Sequence, residues 1–133
     1  MFGKKESKMD TAPSQEIDSL IGEKLRITGK VQGEGNIRID GEIKGDVDCK
    51  GDITISETGV VYGNLSGVNI YISGTVNGNV NAKDKLTLFP SGILKGDIKV
   101  ANLVIYDNGF FQGKCTMTKE VEKEIQEELE TAE

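Results

Sequence analysis

Chemistry has few places to start in this chain. Its reactive side chains are two cysteines, 22 carboxylates and 16 lysines and arginines, and histidine is absent from all 133 residues. Without histidine the commonest general base and metal ligand of neutral-pH chemistry is missing. That excludes Ser-His-Asp and Cys-His nucleophile pairs outright. Cys49 and Cys115 form no CxxC and are too few to close a zinc site alone. No residue is expected to be catalytic, to bind a cofactor or to hold a metal. The chain reads as a non-enzyme.

Charge narrows the partners. Residues 119–133 hold two lysines and seven glutamates, so that most of the net −6 sits in this short segment. The remaining body is near neutral and offers no electrostatic footprint for nucleic acid. No apolar run reaches the roughly 20 residues of a membrane span, and no signal-peptide core follows Met1. A soluble cytoplasmic chain is expected.

The elements behind this composition are announced by glycine. Seventeen residues are glycine, nearly twice average usage, although glycine is costly inside helices and strands. Most of these glycines belong to a repeat. Apolar pairs occur at Leu25-x-Ile27, Ile37-x-Ile39, Ile53-x-Ile55, Ile70-x-Ile72, Leu86-x-Leu88 and Leu103-x-Ile105. The first step is 12 residues and the later ones are 16 or 17. After each pair comes Gly-x-apolar-x-Gly, from Gly29-x-Val31-x-Gly33 and Gly41-x-Ile43-x-Gly45 to Gly109-x-Phe111-x-Gly113.

Spacing inside each copy is two, the period of a β-strand. Ile37, Ile39, Ile43, Val47 and Cys49 share one parity, while Arg38, Asp40, Glu42, Lys44, Asp46 and Asp48 occupy the other. A unit of 16–17 residues is too short for a strand-helix-strand crossover. Coiling the chain instead stacks equivalent strands in parallel about 4.8 Å apart. The expected fold is all-β, a single-domain parallel β-helix of about six rungs over residues 19–118. An antiparallel sandwich would demand hairpin turns and irregular strand spacing. Asp46, Asn64, Asn79 and Asp97 follow the second glycine and are expected at corners, tolerating left-handed backbone. Rungs three, five and six gain Glu57-Thr58, Pro90-Ser91 and Asp107-Asn108, which predict a longer corner. Both cysteines fall on the inward parity and read as small core residues, about 19 Å apart along the stack.

With these residues in view, the chain resembles the bactofilin family of bacterial cytoskeletal proteins. The resemblance rests on the start Met1-Phe2-Gly3-Lys4-Lys5, a polar linker, and a repeat domain opening at IGEKLRITGKVQGEGNIRIDGEIKGDV. It implies a right-handed parallel β-helix that polymerises end to end, without nucleotide, into non-polar filaments. It also implies attachment to the inner face of the cytoplasmic membrane and scaffolding of cell-wall or shape-determining machinery. The acidic tail departs from the basic or Pro-rich extensions of many relatives, so partners borne by such tails do not carry over.

Physics gives the same direction independently. A solenoid has two ends of unpaired backbone, and soluble ones blunt them with a cap. No cap is evident at the C-terminal end. The expected homopolymer interface comprises Leu25, Ile27 and Val31 in a truncated first rung and Leu103, Ile105, Phe110 and Phe111 in the last. The expected membrane contact is Met1 and Phe2 with Lys4, Lys5 and Lys8, within a disordered N-terminal segment 1–18. One copy would bind weakly, at about 1 kcal/mol per lysine near anionic lipid, and many copies would bind by avidity. The tail 119–133 is expected to be solvated. Its Val121, Ile125 and Leu129 fall on one helical stripe that could dock on the body or a partner. Outward apolar residues Val60, Phe89, Ile93, Tyr106 and Phe110 could support lateral bundling.

Three rivals share parts of this pattern. A left-handed hexapeptide-repeat acyltransferase uses a histidine base and an 18-residue rung. An ice-binding solenoid needs an outward ladder of identical residues, whereas Arg38, Thr54, Tyr71, Thr87 and Val104 form none. A monomeric or short-oligomer membrane adaptor is the alternative that differs only in assembly.

Overall fold

A computed structural model describes residues 16–118. These form fifteen β-strands and no helix. The chain winds through six coils, and each coil visits three faces. The first coil contains β1 (Ser19–Ile21), β2 (Arg26–Thr28) and β3 (Val31–Gly33). The second contains β4 (Ile37–Ile39), β5 (Glu42–Lys44) and β6 (Val47–Cys49). In the third, β7 (Ile53–Ile55) and β8 (Val60–Tyr62) lead to β9 (Leu65–Ile72), which bends round the corner into the fourth coil. The rest is β10 (Thr75–Asn77), β11 (Val80–Leu88), β12 (Ile93–Lys95), β13 (Ile98–Ile105), β14 (Phe110–Gln112) and β15 (Cys115–Met117).

Every strand pairing is parallel, coil upon coil. On the first face Ile37 stacks on Ile53, then Ile70, Leu86 and Leu103. The second face stacks Ile27, Ile43, Val61, Val76, Leu94 and Phe111. The third stacks Val31, Val47, Leu65, Val80, Ile98 and Cys115. Branched side chains suit such columns, because stiff χ1 rotamers pack face to face on a pleated surface. Ile39, Ile43, Ile55, Ile70, Val76 and Leu94 are 0% exposed. Each such burial contributes about 1.5–3 kcal/mol.

Three corners close each coil. Between the second and third faces stands a column of glycines at 29, 45, 63, 78, 96 and 113, each with φ between 129° and 157°. A Cβ at Gly96 (φ 144°) would overlap the carbonyl oxygen of Gly78 in the coil before it, so both φ and space require glycine. Asp46, Asn64, Asn79 and Asp97 therefore do not supply the left-handed backbone expected of them; the preceding glycines do. Their side chains bind the next coil instead. Asp46 Oδ1 accepts from the Asn64 N–H at 2.9 Å, Asn64 from Asn79 at 2.9 Å, Asn79 from Asp97 at 3.0 Å and Asp97 from Lys114 at 3.0 Å.

A second ladder runs along the corner that leads into the first face. Asp18 accepts from the Asn36 N–H at 2.7 Å, Asn36 from Asp52 at 2.8 Å and Asp52 from Asn69 at 3.2 Å. Carboxylate and amide alternate, so no two carboxylates are adjacent in that stack. At the remaining corner, the Gly59, Gly92 and Gly109 N–H groups donate three residues back to Ser56, Phe89 and Tyr106. These are the longer turns predicted for coils three, five and six. Coil one has one too, with the Leu25 N–H donating to Gly22 at 3.1 Å.

The first coil corrects the repeat frame. It is not truncated, because it has a strand on each face. Ser19 and Ile21 match Ile37 and Ile39, while Ile27 matches Ile43. Leu25-x-Ile27 is thus no counterpart of Ile37-x-Ile39, and Gly29-x-Val31-x-Gly33 aligns with Gly45-x-Val47-x-Cys49. A strand's period of two is the same on every face, so parity alone cannot say which face a segment occupies.

Candidate polymer interface

The inward column of any coil is covered by the coils on either side. At the two ends one neighbour is missing, and burial falls there. In the last coil Leu103 and Phe111 are half-buried, although Leu86 and Leu94 directly beneath them are 0% exposed. Ile105 and Met117 are each 43% exposed, while Leu88 and Val100 beneath them are at most 1% exposed. In the first coil Ile27 and Val31 are half-buried and Ile21 is buried.

The predicted interface residues therefore form two groups, five coil steps or about 24 Å apart. Leu103, Ile105 and Phe111 gather on the C-terminal end, and Ile27 and Val31 on the N-terminal end. Two residues fall outside these columns. Leu25 sits in the Gly22–Leu25 turn, 49% exposed at a corner. Phe110 points outward on the second face, 46% exposed beside Ile93, at the rim of the C-terminal end.

Parity alone would have added Met117 and Cys115. Cys115 has the inward position expected of it, but it is exposed, and only Cys49 is a core thiol. The reason is the same: among the described residues no coil lies above it. At the other end Leu20 is 59% exposed. The third-face position held in other coils by Cys49, Gly67, Ala82, Val100 and Met117 is taken here by Gly33. Its missing side chain leaves a hollow of about 200 Å³ lined by Ile21, Val31, Ile37, Val47 and Cys49.

The outward surface carries polar pairs beside exposed Tyr62, Ile93, Tyr106 and Phe110. Arg38 Nε donates to Asp40 Oδ1 at 2.8 Å, which holds the Asp40 carboxyl below the usual aspartate range. Burial pushes the Tyr71 phenol up, helped by the nearby Asp52 and Asp84 charges. Among the described residues no cluster of His, Cys, Asp or Glu could hold a metal, and no helix is long and apolar enough to cross a membrane. Met1, Phe2, Lys4, Lys5, Lys8 and the tail 119–133 lie outside the described residues.

A family model, Bactofilin, described as polymer-forming cytoskeletal, matches residues 19–116. The chain belongs to the bactofilin family. The solenoid body resembles a cryo-EM reconstruction of Thermus thermophilus bactofilin double helical filaments, with a TM-score of 0.70 at 24% identity. That match covers 75% of this chain and 99% of the other. A crystal structure of a phenylalanine-to-arginine mutant of Thermus thermophilus bactofilin matches with a TM-score of 0.63 at 26% identity, covering 66% and 98% of the two chains. Among curated proteins no match was found. For a bactofilin, a polymer-forming protein, the uncovered ends are the surfaces of interest.

Proposed function

We propose that this bactofilin assembles end to end, without nucleotide, into non-polar filaments on the inner face of the cytoplasmic membrane. There it would scaffold cell-shape or cell-wall machinery. The observation that supports the assembly step is the exposure of inward residues in the terminal coils, above all Ile105, Phe111 and Met117 over a core that is otherwise dry. An end of unpaired strands and apolar side chains is completed by another copy of itself. Nothing in that contact calls for a nucleotide. Like-to-like joints place a two-fold axis at each junction and cancel polarity along the filament.

The membrane part rests on sequence. Met1 and Phe2 with Lys4, Lys5 and Lys8 give one copy weak affinity for an anionic surface. A filament multiplies that affinity, so assembly and attachment reinforce each other.

Phe111→Arg tests the assembly step. A dry joint would bury an unpaired charge at a cost of several kcal/mol, so the variant should stay a folded monomer by circular dichroism and sedimentation. Filaments of the variant by negative-stain microscopy would refute the contact. A wild-type chain that stays monomeric would leave the membrane-adaptor reading. Fluorescent fusions with and without residues 1–8 test attachment, and equal membrane recruitment would remove it.

A further inference from the structure

We propose that the acidic segment 119–133 is a detachable cap for the C-terminal end of its own solenoid, competing with the next copy for the same surface. The inference rests on the reading of that end as an assembly surface, and four observations carry it.

The described chain stops at the rim of that end. β15 lies in the last coil, and the Thr118 N–H donates to the Val100 carbonyl at 2.7 Å, so residue 119 starts beside the exposed Met117. The end needs an apolar cover, which Ile105, Met117, Leu103 and Phe111 lack among the described residues.

The segment has a suitable face. Val121, Ile125 and Leu129 recur at every fourth residue, the spacing that places them on one side of a helix. From Lys119 to Leu129 such a helix would measure about 16 Å. One side of a coil, roughly five extended residues, measures about 17 Å.

Charge then selects between the two ends. Residues 16–66 carry ten acidic and six basic residues, net −4, whereas residues 67–118 carry three acidic and five basic, net +2. Lys95, Lys99 and Lys114 lie in the last two coils. Seven glutamates are attracted to that half and repelled from the other. Solenoids commonly close an end with a polar-faced cap; here the cap would be released when a second copy takes its place.

The test replaces the stripe and keeps the charge. Full-length chain with Val121→Ser, Ile125→Ser and Leu129→Ser should polymerise at a critical concentration roughly fivefold lower than wild type by pelleting, the lower range of a regulatory coupling. An unchanged or higher critical concentration would overturn the cap. In a second arm, a labelled peptide of residues 119–133 is titrated against a chain ending at Thr118. Binding by fluorescence anisotropy is expected, weakened by salt and lost with Phe111→Arg; no binding would equally overturn it. If no variant pellets at any concentration, the assembly reading fails, and the peptide arm still decides the cap.

Discussion

The middle coils and the terminal coils of this solenoid use the same residues for opposite ends. Leu94 and Phe111 occupy equivalent inward positions one coil apart, yet Leu94 is 0% exposed and Phe111 is only half-buried. Gly96 and Gly29 share a corner and a positive φ, yet a side chain at Gly96 would strike the coil before it and one at Gly29 would meet nothing within 4 Å. An inward position thus defines a direction, and a neighbouring coil decides whether it becomes core or interface. Polymerisation on this view needs no dedicated site. It is the folding interaction continued past the end of the chain.

The glycine column offers the hardest test of that contrast. Gly96→Ala combines an unfavourable φ with overlap against the Gly78 carbonyl, and the backbone of two coils must separate to relieve it. A loss of roughly 4 kcal/mol is expected, at the upper end of single substitutions. Gly29→Ala carries the φ penalty alone, about 1–3 kcal/mol. Urea unfolding of the two variants measures the difference. Equal losses would mean that contact between coils contributes nothing at this corner.

Side-chain truncation should separate the two regions more gently. Leu94→Ala opens a cavity at a position that is 0% exposed and should cost about 2–5 kcal/mol. Met117→Ala removes a side chain that is already 43% exposed, and stability of the monomer should fall by less than about 1 kcal/mol. Filament formation should respond in the opposite order, with Met117→Ala raising the critical concentration while Leu94→Ala leaves the joint itself intact. A Met117→Ala monomer as unstable as Leu94→Ala would mean that the C-terminal end is packed within the single chain.

Much of this was visible in the residues. Parallel coiling followed from the 16–17-residue step, and the core columns of coils two to five followed from parity. The first coil departs from the expected frame because Gly29-x-Val31-x-Gly33 imitates the glycine motif while lying one corner further on. Its 12-residue step was the available warning. Leu25 was misplaced by the same error. Parity places Cys115 inward but is silent about whether a coil covers it, and Cys115 is exposed. The Asp and Asn ladders were seen as turn residues, since hydrogen bonds 15 to 18 residues apart in sequence leave no local signature. Their alternation nonetheless stands in the sequence, in the order Asp18, Asn36, Asp52, Asn69.

That alternation yields a smaller expected effect than the glycine column, and one with a pH signature. Asn36 lies between Asp18 and Asp52 in successive coils, whereas Asn79 lies between Asn64 and Asp97. Asn36→Asp keeps the acceptor for the Asp52 N–H but creates three stacked carboxylates. At a spacing of about 4.8 Å each exposed pair costs about 1 kcal/mol in water. It also loses the 2.7 Å bond from Asn36 Nδ2 to the Glu16 carbonyl. Asn79→Asp creates only one such pair and should cost about half as much. Like charges raise the folded pKa of the new carboxyl above its unfolded value. The penalty is therefore present at neutral pH and fades as pH falls through that raised pKa toward the ordinary aspartate range. Thermal melts at pH 7 and near pH 4 should show the Asn36→Asp deficit shrinking on acidification, and shrinking less at high salt, where the repulsion is already screened. A deficit that ignores both pH and salt would assign the alternation to amide hydrogen bonding instead of charge avoidance.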